Sequence, residues 1–437
     1  MQRTLCSTLM TGLALTIVIS MSSSSNADAP LTLQQQARLV TAASEQQAQA
    51  AISALRAVGP AGLQALVEEY RRAIDQHVST PSATTAAPQV APVASDSSWQ
   101  RVKAALDAVG GQYDCYTSRL YWYTDWDAAQ AAAKQSGKPI LSLRLLGKLT
   151  DEFSCANSRF FRTTLYANDE VNSALRERFV LYWQTVRPVP KVTIDFGDGR
   201  KLERTLTGNS IHYILDSEGR PIDALPGLYG PQAFLRGLEA AEAAFAATKS
   251  MEDFQRTDYL RQYHQTQADQ IAARWNTDLE QLGLLKPDPT ACAVHSAPVD
   301  ALVALTDDAA WGRIAQLHAA DAQLDAASRA LIAAQNPSAA RAMPLAVTKA
   351  VVENPLLRLV RAFQNTLAID SVRNEYTFHR QIHEWFAGGQ TPVDIDANQL
   401  NEMVYAQLFL TPSNDPWLGL LTGDAYSALD NNGLCQK

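Results

Sequence analysis

The sequence predicts an α/β domain, a sheet covered by helices, followed by an α-helical domain. Between residues 119 and 246, short apolar or alternating runs take turns with helical periods and end in a hairpin and a helix. That order builds a sheet with helices laid on it. From residue 247 the helical period continues almost to the end. Before both, "STPSATTAAPQVAPVASDSS" carries Pro, Ser, Thr and Ala with almost no charge and no apolar period, and reads as a linker. At 437 residues the chain is too long for one ordinary core. The expected layout is a signal peptide over 1–27, a helical N-terminal segment over 28–78, the linker over 79–97, the α/β domain over 98–246 and the α-helical C-terminal domain over 247–437.

Each element has its own local signal. "LQQQARLVTAASEQQAQAAISALRAV" and "GLQALVEEYRRAIDQHV" read as two helices broken at "GPAG". "WQRVKAALDAV" is a short amphipathic helix, and the aromatic-rich "RLYWYT" is expected as a strand. "DWDAAQAAAKQSG" is a helix, with Thr124 as N-cap and Asp127 three residues on. "KPILSLRLL" is a buried strand, 156–178 is mostly helical with a break at Asn168 and Asp169, and "FVLYWQTV" is a strand. Two hairpins follow, "KVTIDFGDGRKLERTLT" and "SIHYILDSEGRPIDAL". A helix with Pro231 in its first turn closes the α/β domain. The helical domain opens on "DFQRTDYLRQYHQTQADQIAARWNTDLEQL", one long helix or two, and has no repeat of fixed period.

The N-terminus points to export. "MQRTLCSTLMTGLALTIVISMSSSSNADAP" has an early Arg, an apolar run and then small polar residues, with cleavage expected after Ala27. The expectation is a bacterial-type exported protein, periplasmic or extracellular, with no membrane span after cleavage. Four cysteines follow the cleavage point, Cys115, Cys155, Cys292 and Cys435, an even number in an oxidising compartment. The net charge of −8 comes without a basic patch, which argues against nucleic-acid binding. Another envelope protein is the expected class of partner, and no cofactor motif is read.

The element order, with the phrases "GKPILSLRLL", "SCANS", "RFVLYW", "IHYILDSEGRPIDALPG" and "AFLRGLEAA", resembles the thioredoxin fold over residues 119 to 246. The resemblance implies a nucleophilic cysteine at a helix N-terminus, a resolving cysteine three residues later and a proline facing both. Cys155 takes the first place, in "TDEFSCANSRFF". Ser158 stands in the second, giving CxxS for CxxC, and Asn209 or Ser210 stands where the proline would be. A serine does not usefully resolve a mixed disulfide, since an alcohol does not displace a thiolate from sulfur at neutral pH. Three readings of Cys155 stand open: a structural disulfide to Cys115, the preferred one, with Cys292 linked to Cys435 or both free; a working thiol; or an unpaired, packed cysteine.

"NEYTFHRQIHEW" places Glu375, His379 and His383 four apart on one helix face, a stripe able to contribute metal ligands. A polar stripe with internal hydrogen bonds is the preferred reading. Asp198-Gly199 reads as a hairpin turn, His212 as a packed strand histidine and Trp417 as a turn anchor. The expected function is an exported scaffold or binding module built on a diverged thioredoxin-like domain, with weak or no redox activity. A thiol–disulfide enzyme or redox chaperone using Cys155 comes second, and a metal-dependent activity in the helical domain third.

Overall fold

The computed structural model describes residues 31–79, 97–206, 208–284, 308–335, 355–389, 395–415, 417 and 428. The expected signal peptide, nearly all of the linker, and Cys292 and Cys435 lie outside these residues. The described residues from Leu33 onward form one compact unit.

Four helices come first: α1 (Leu33–Leu39), α2 (Glu45–Val58), α3 (Pro60–Glu69) and α4 (Arg71–Ser79). Ser44 caps α2 by accepting from Gln47 N. The expected break falls at Gly59, whose φ of 85° favours glycine, with Pro60 starting α3. A second break at Tyr70, between α3 and α4, was not expected. Helices α2 and α3 meet closely at Gly62, where a Cβ would stand 2.0 Å from the Leu55 carbonyl oxygen. Helix α5 (Ser97–Gly110) joins this group, burying Trp99, Val102, Leu106 and Val109 against Leu55, Leu66 and Ile74.

After the short helix α6 (Cys115–Ser118), "RLYWYT" forms no strand. Only Tyr123 bridges, parallel to Tyr182. The chain enters from Arg119 in the left-handed region (φ 55°), and by Asp125 it has turned into helix α7 (Trp126–Ser136). β-Propensity loses here to the turns on either side. Asp125, not Thr124, caps α7, accepting from Ala128 N.

The sheet has four strands in the order β2-β1-β5-β6. They are β1 (Ile140–Leu146), β2 (Val180–Arg187), β5 (Ser210–Leu215) and β6 (Pro221–Pro226). β2 runs parallel to β1, β5 antiparallel to β1, and β6 antiparallel to β5. β1, β5 and β6 are buried along their whole length, which is why they read as apolar runs. Helix α8 (Ala156–Phe160) continues as a π-helical turn (Phe161–Leu165). Asn168 then breaks the helix and caps α9 (Asp169–Arg178). The hairpin of β3 (Lys191–Asp195) and β4 (Lys201–Thr205) forms its own two-stranded sheet, turning at Asp198-Gly199 with Gly199 at φ 90°.

Helix α10 (Pro231–Thr248) runs through the expected boundary at 246/247. Beyond it come α11 (Asp253–Gln281), α12 (Asp308–Leu317), a 3-10 turn (Ala319–Ala322) and α13 (Ala326–Gln335). A long helix follows as α14 (Pro355–Arg373), a π-helical segment (Asn374–His379) and α15 (Arg380–Ala387). The last elements are α16 (Ala397–Met403) and a π-helical turn (Val404–Leu408). The expected separation into two domains does not extend to the packing. Leu143, Tyr213 and Leu225 of the sheet share one core with Trp275, Trp311 and Trp385 of the later helices. Among the described residues no helix is long and apolar enough to cross a membrane.

Candidate functional site

Cys155 occupies the N-cap position of α8, where its sulfur accepts from Ser158 N at 3.4 Å. The Ser158 hydroxyl is spent on the same turn, donating to the Cys155 carbonyl at 2.8 Å and lying 2.6 Å from the Ser154 hydroxyl. Asn157 reaches across to Ser210 Oγ at 2.9 Å, so the helix start faces the beginning of β5. Cys155 and Ser158 are both fully buried. Burial pushes the Cys155 thiol up against the helix-start hydrogen bonds, which favour thiolate.

The end of the helical region packs beside this corner, with Tyr405 close to Cys155. The Tyr405 hydroxyl donates to the Asn209 carbonyl at 3.1 Å, and Asn209 Nδ2 donates to Thr411 Oγ1 at 3.3 Å. Arg187, at the end of β2, donates to the carbonyls of Thr411, Pro412 (2.9 Å) and Asp415 (3.3 Å). Trp417, expected as an anchor, is 47% exposed.

The expected Cys115–Cys155 disulfide is not formed; both cysteines are free and buried. They belong to different cores. Cys115 packs among the N-terminal helices and α5, its sulfur 3.7 Å from the Leu120 carbonyl, whereas Cys155 lies in the sheet core. Burial raises the Cys115 thiol well above its ordinary value. His212 is packed as expected, its Nε2 2.7 Å from the Tyr166 hydroxyl and its ring against Phe161 and Phe234.

A second constellation lies on the far side of β5. Asp223 sits within the apolar edge strand β6 and is 1% exposed. Its Oδ1 accepts from Ala224 N at 2.8 Å and its Oδ2 accepts from the Tyr263 hydroxyl at 2.5 Å. Helix α11 brings His264, and the long helix brings Glu375, His379 and His383. His264 Nδ1 and His383 Nδ1 are 2.8 Å apart, and His383 Nδ1 is 4.0 Å from Asp223 Oδ1. His379 Nδ1 pairs with Glu375 Oε2 at 2.7 Å, while its Nε2 stands 3.5 Å from Asp223 Oδ1. Arg274 holds the other Glu375 oxygen at 2.5 Å. The π-helical segment carries Glu375 and His379 and shifts the register ahead of His383, as π segments often do at functional sites.

The electrostatics are tightly linked. Burial would raise the Asp223 carboxyl, but the imidazoles of His383, His379 and His264 outweigh it and hold it well below the carboxylate range. Burial would lower His379, yet Glu375 and Asp223 push it up to about 10. Burial holds His264 down to about 4 and His383 well below the ordinary histidine value, despite Asp223. The cluster borders a cavity of about 620 Å³, lined among others by Asp223, Arg236, Arg274, His318, Glu375 and His379.

The structure therefore divides the expected stripe. Glu375 and His379 pair with each other, and His383 joins Asp223 and His264, neither of which the stripe itself contains. One signal for Asp223 was present: a lone carboxylate in the otherwise apolar "PIDALP". Compared with known proteins, the chain matches no family model, no curated protein and no solved structure.

Proposed function

We propose that this is an exported protein whose diverged thioredoxin-like domain serves as a scaffold and binding module without thiol–disulfide chemistry. Support for the thioredoxin-like reading comes from the sheet: a parallel β1–β2 pair, then β5 and β6 added antiparallel, with Cys155 at a helix start opposite Ser210. The closure of the Cys155 corner carries the functional half. A working thiol needs access and stabilised thiolate. Cys155 is fully buried beneath a cover held by Tyr405, Thr411 and Arg187, with its thiol pushed up and a spent serine in the resolver's place.

The binding site in this reading is the cavity between β6, α10, α11 and the long helix. Its volume falls within the range of small-ligand sites. Its walls carry the ion pairs Arg236–Asp321 and Arg274–Glu375 beside Asp223 on an otherwise largely apolar lining, which suits a small ligand with both charged and apolar parts. Another envelope protein remains the proposed partner class at the surface.

Thiol labelling, with the modified cysteine identified by peptide mass mapping, tests the reading in a Cys115→Ala background. Cys155 should react only when the protein unfolds, and the protein should neither reduce nor oxidise a model disulfide. Rapid native labelling of Cys155, with an apparent pKa below the roughly 8.5 of free cysteine, would place the protein among thiol enzymes.

A further inference from the structure

We propose that Asp223, His264 and His383 hold a divalent transition-metal ion of the zinc class, with His379 placed as the fourth ligand. The inference is independent of whether the Cys155 corner is silent.

The donor atoms are already gathered. One ligand atom from each of Asp223, His264 and His383 lies within 4.8 Å of the others, and all three residues are buried. Four-coordinate zinc, with bonds to nitrogen and oxygen of about 2.0–2.2 Å, sets its ligand atoms roughly 3.3–3.5 Å apart. The observed separations bracket that spacing: 2.8 Å between the two Nδ1 atoms, 3.5 Å from His379 Nε2 to Asp223 Oδ1, and 4.0 Å from His383 Nδ1 to Asp223 Oδ1. Imidazoles with one carboxylate suit zinc and its first-row neighbours better than calcium or magnesium, which favour all-oxygen sites.

A further observation points to a ligand. His379 is 5% exposed, and its Nε2 faces the Asp223 carboxylate from 3.5 Å, an ion-pair distance without a hydrogen bond of good geometry. Buried polar atoms are nearly always satisfied, so a nitrogen held this loosely beside a buried carboxylate leaves room for an ion between them.

The groups behind the donors are those a metal site requires. A ligating histidine usually gives its other ring N–H to a carboxylate or a backbone carbonyl, which fixes its tautomer and orientation. His379 pairs with Glu375, itself held by Arg274. His264 hydrogen-bonds to the Ile222 backbone. Asp223 is fixed by Tyr263 and Ala224 N. Asp223 and His379 also line the cavity, which gives the ion a route inward.

The test uses the whole chain, stripped with a chelator and then titrated with Zn(II), or with Co(II) as a visible reporter. About one ion per chain should bind, and Co(II) should give the intense visible bands of a tetrahedral site. His264→Ala and His383→Ala should each weaken binding by more than about 100-fold, and Glu375→Gln by roughly 10–100-fold, the usual loss for a residue behind a ligand. His77→Asn, outside the site, should leave binding unchanged. Because the histidine variants are exposed to misfolding, zinc X-ray absorption on the unmodified protein supplies a reading that needs no substitution, with scattering from at least two imidazoles expected. Failure of the stripped, folded chain to take up zinc or cobalt, or binding with no imidazole scattering, would overturn the proposal and leave a hydrogen-bonded histidine pair.

Discussion

His212 makes the acid stability of this fold calculable. The residue is fully enclosed in β5, and burial alone holds its imidazole down from 6.5 to about 3. Tyr166 is its hydrogen-bonding partner and Phe161 and Phe234 its ring neighbours, so it carries no charge when folded at neutral pH. In the unfolded chain it titrates near 6.5. Below that value the unfolded state binds a proton that the folded state refuses, so stability falls as pH falls. The slope approaches about 1.4 kcal/mol per pH unit and continues until the pH nears the folded pKa. Between pH 6.5, where the unfolded imidazole is half protonated, and pH 5 the loss from this group is about 1.6 kcal/mol. His264 and His383 are also depressed and add in the same sense, while His379, raised, opposes them. A difference measurement isolates His212. Urea unfolding of the native protein and of His212→Leu at pH 6.5 and pH 5 should show the native protein losing about 1.6 kcal/mol more than the variant. Parallel losses in the two proteins would refute the premise that His212 is buried and neutral.

Two further substitutions test the packing around the closed thiol and the first core. Arg187→Ala removes the charged donor that ties down the carbonyls of Thr411, Pro412 and Asp415. Such bonds contribute about 1.5–3 kcal/mol, so Cys155 labelling should accelerate by roughly 10- to 150-fold while the far-ultraviolet dichroism is unchanged; an unaltered rate would mean that another element covers the thiol. Gly110→Ala would put a Cβ 2.1 Å from Cys115 Sγ, and should lower stability by about 1–3 kcal/mol in urea unfolding. Adding Cys115→Ala should recover part of that loss, and a neutral Gly110→Ala would contradict the close approach of α5 to Cys115.

What could be read from the sequence was whatever its own neighbours decide. β1 was legible because an apolar run bounded by Gly137-Lys138-Pro139 and Gly147 has few other uses, and the turn at Asp198-Gly199 because the dipeptide itself favours it. "RLYWYT" misled because its aromatics favour strand, whereas its conformation is set by the left-handed Arg119 before it and the Asp125 cap after it. The Cys115–Cys155 link misled for a longer-range reason. An even cysteine count carries no information about which core each cysteine enters, and α5 takes Cys115 into the N-terminal helical group.

The polar cluster divides along the same line. Glu375, His379 and His383 share one helix, so their spacing announced them. Asp223 and His264 come from a strand and another helix, and their meeting depends on α11 and α15 packing together beside edge strand β6. The strand nevertheless carried half of the message. A carboxylate does not stay ionised in an apolar strand without partners, because burying an unpaired charge costs more than a fold can offset. "PIDALP" therefore requires cationic or hydrogen-bonding groups opposite Asp223. The stripe at 375–383 requires an anion opposite its imidazoles. Each demand is local, and the only described arrangement that meets both is the docking of the helical region against the sheet, which fuses the two expected domains into one core.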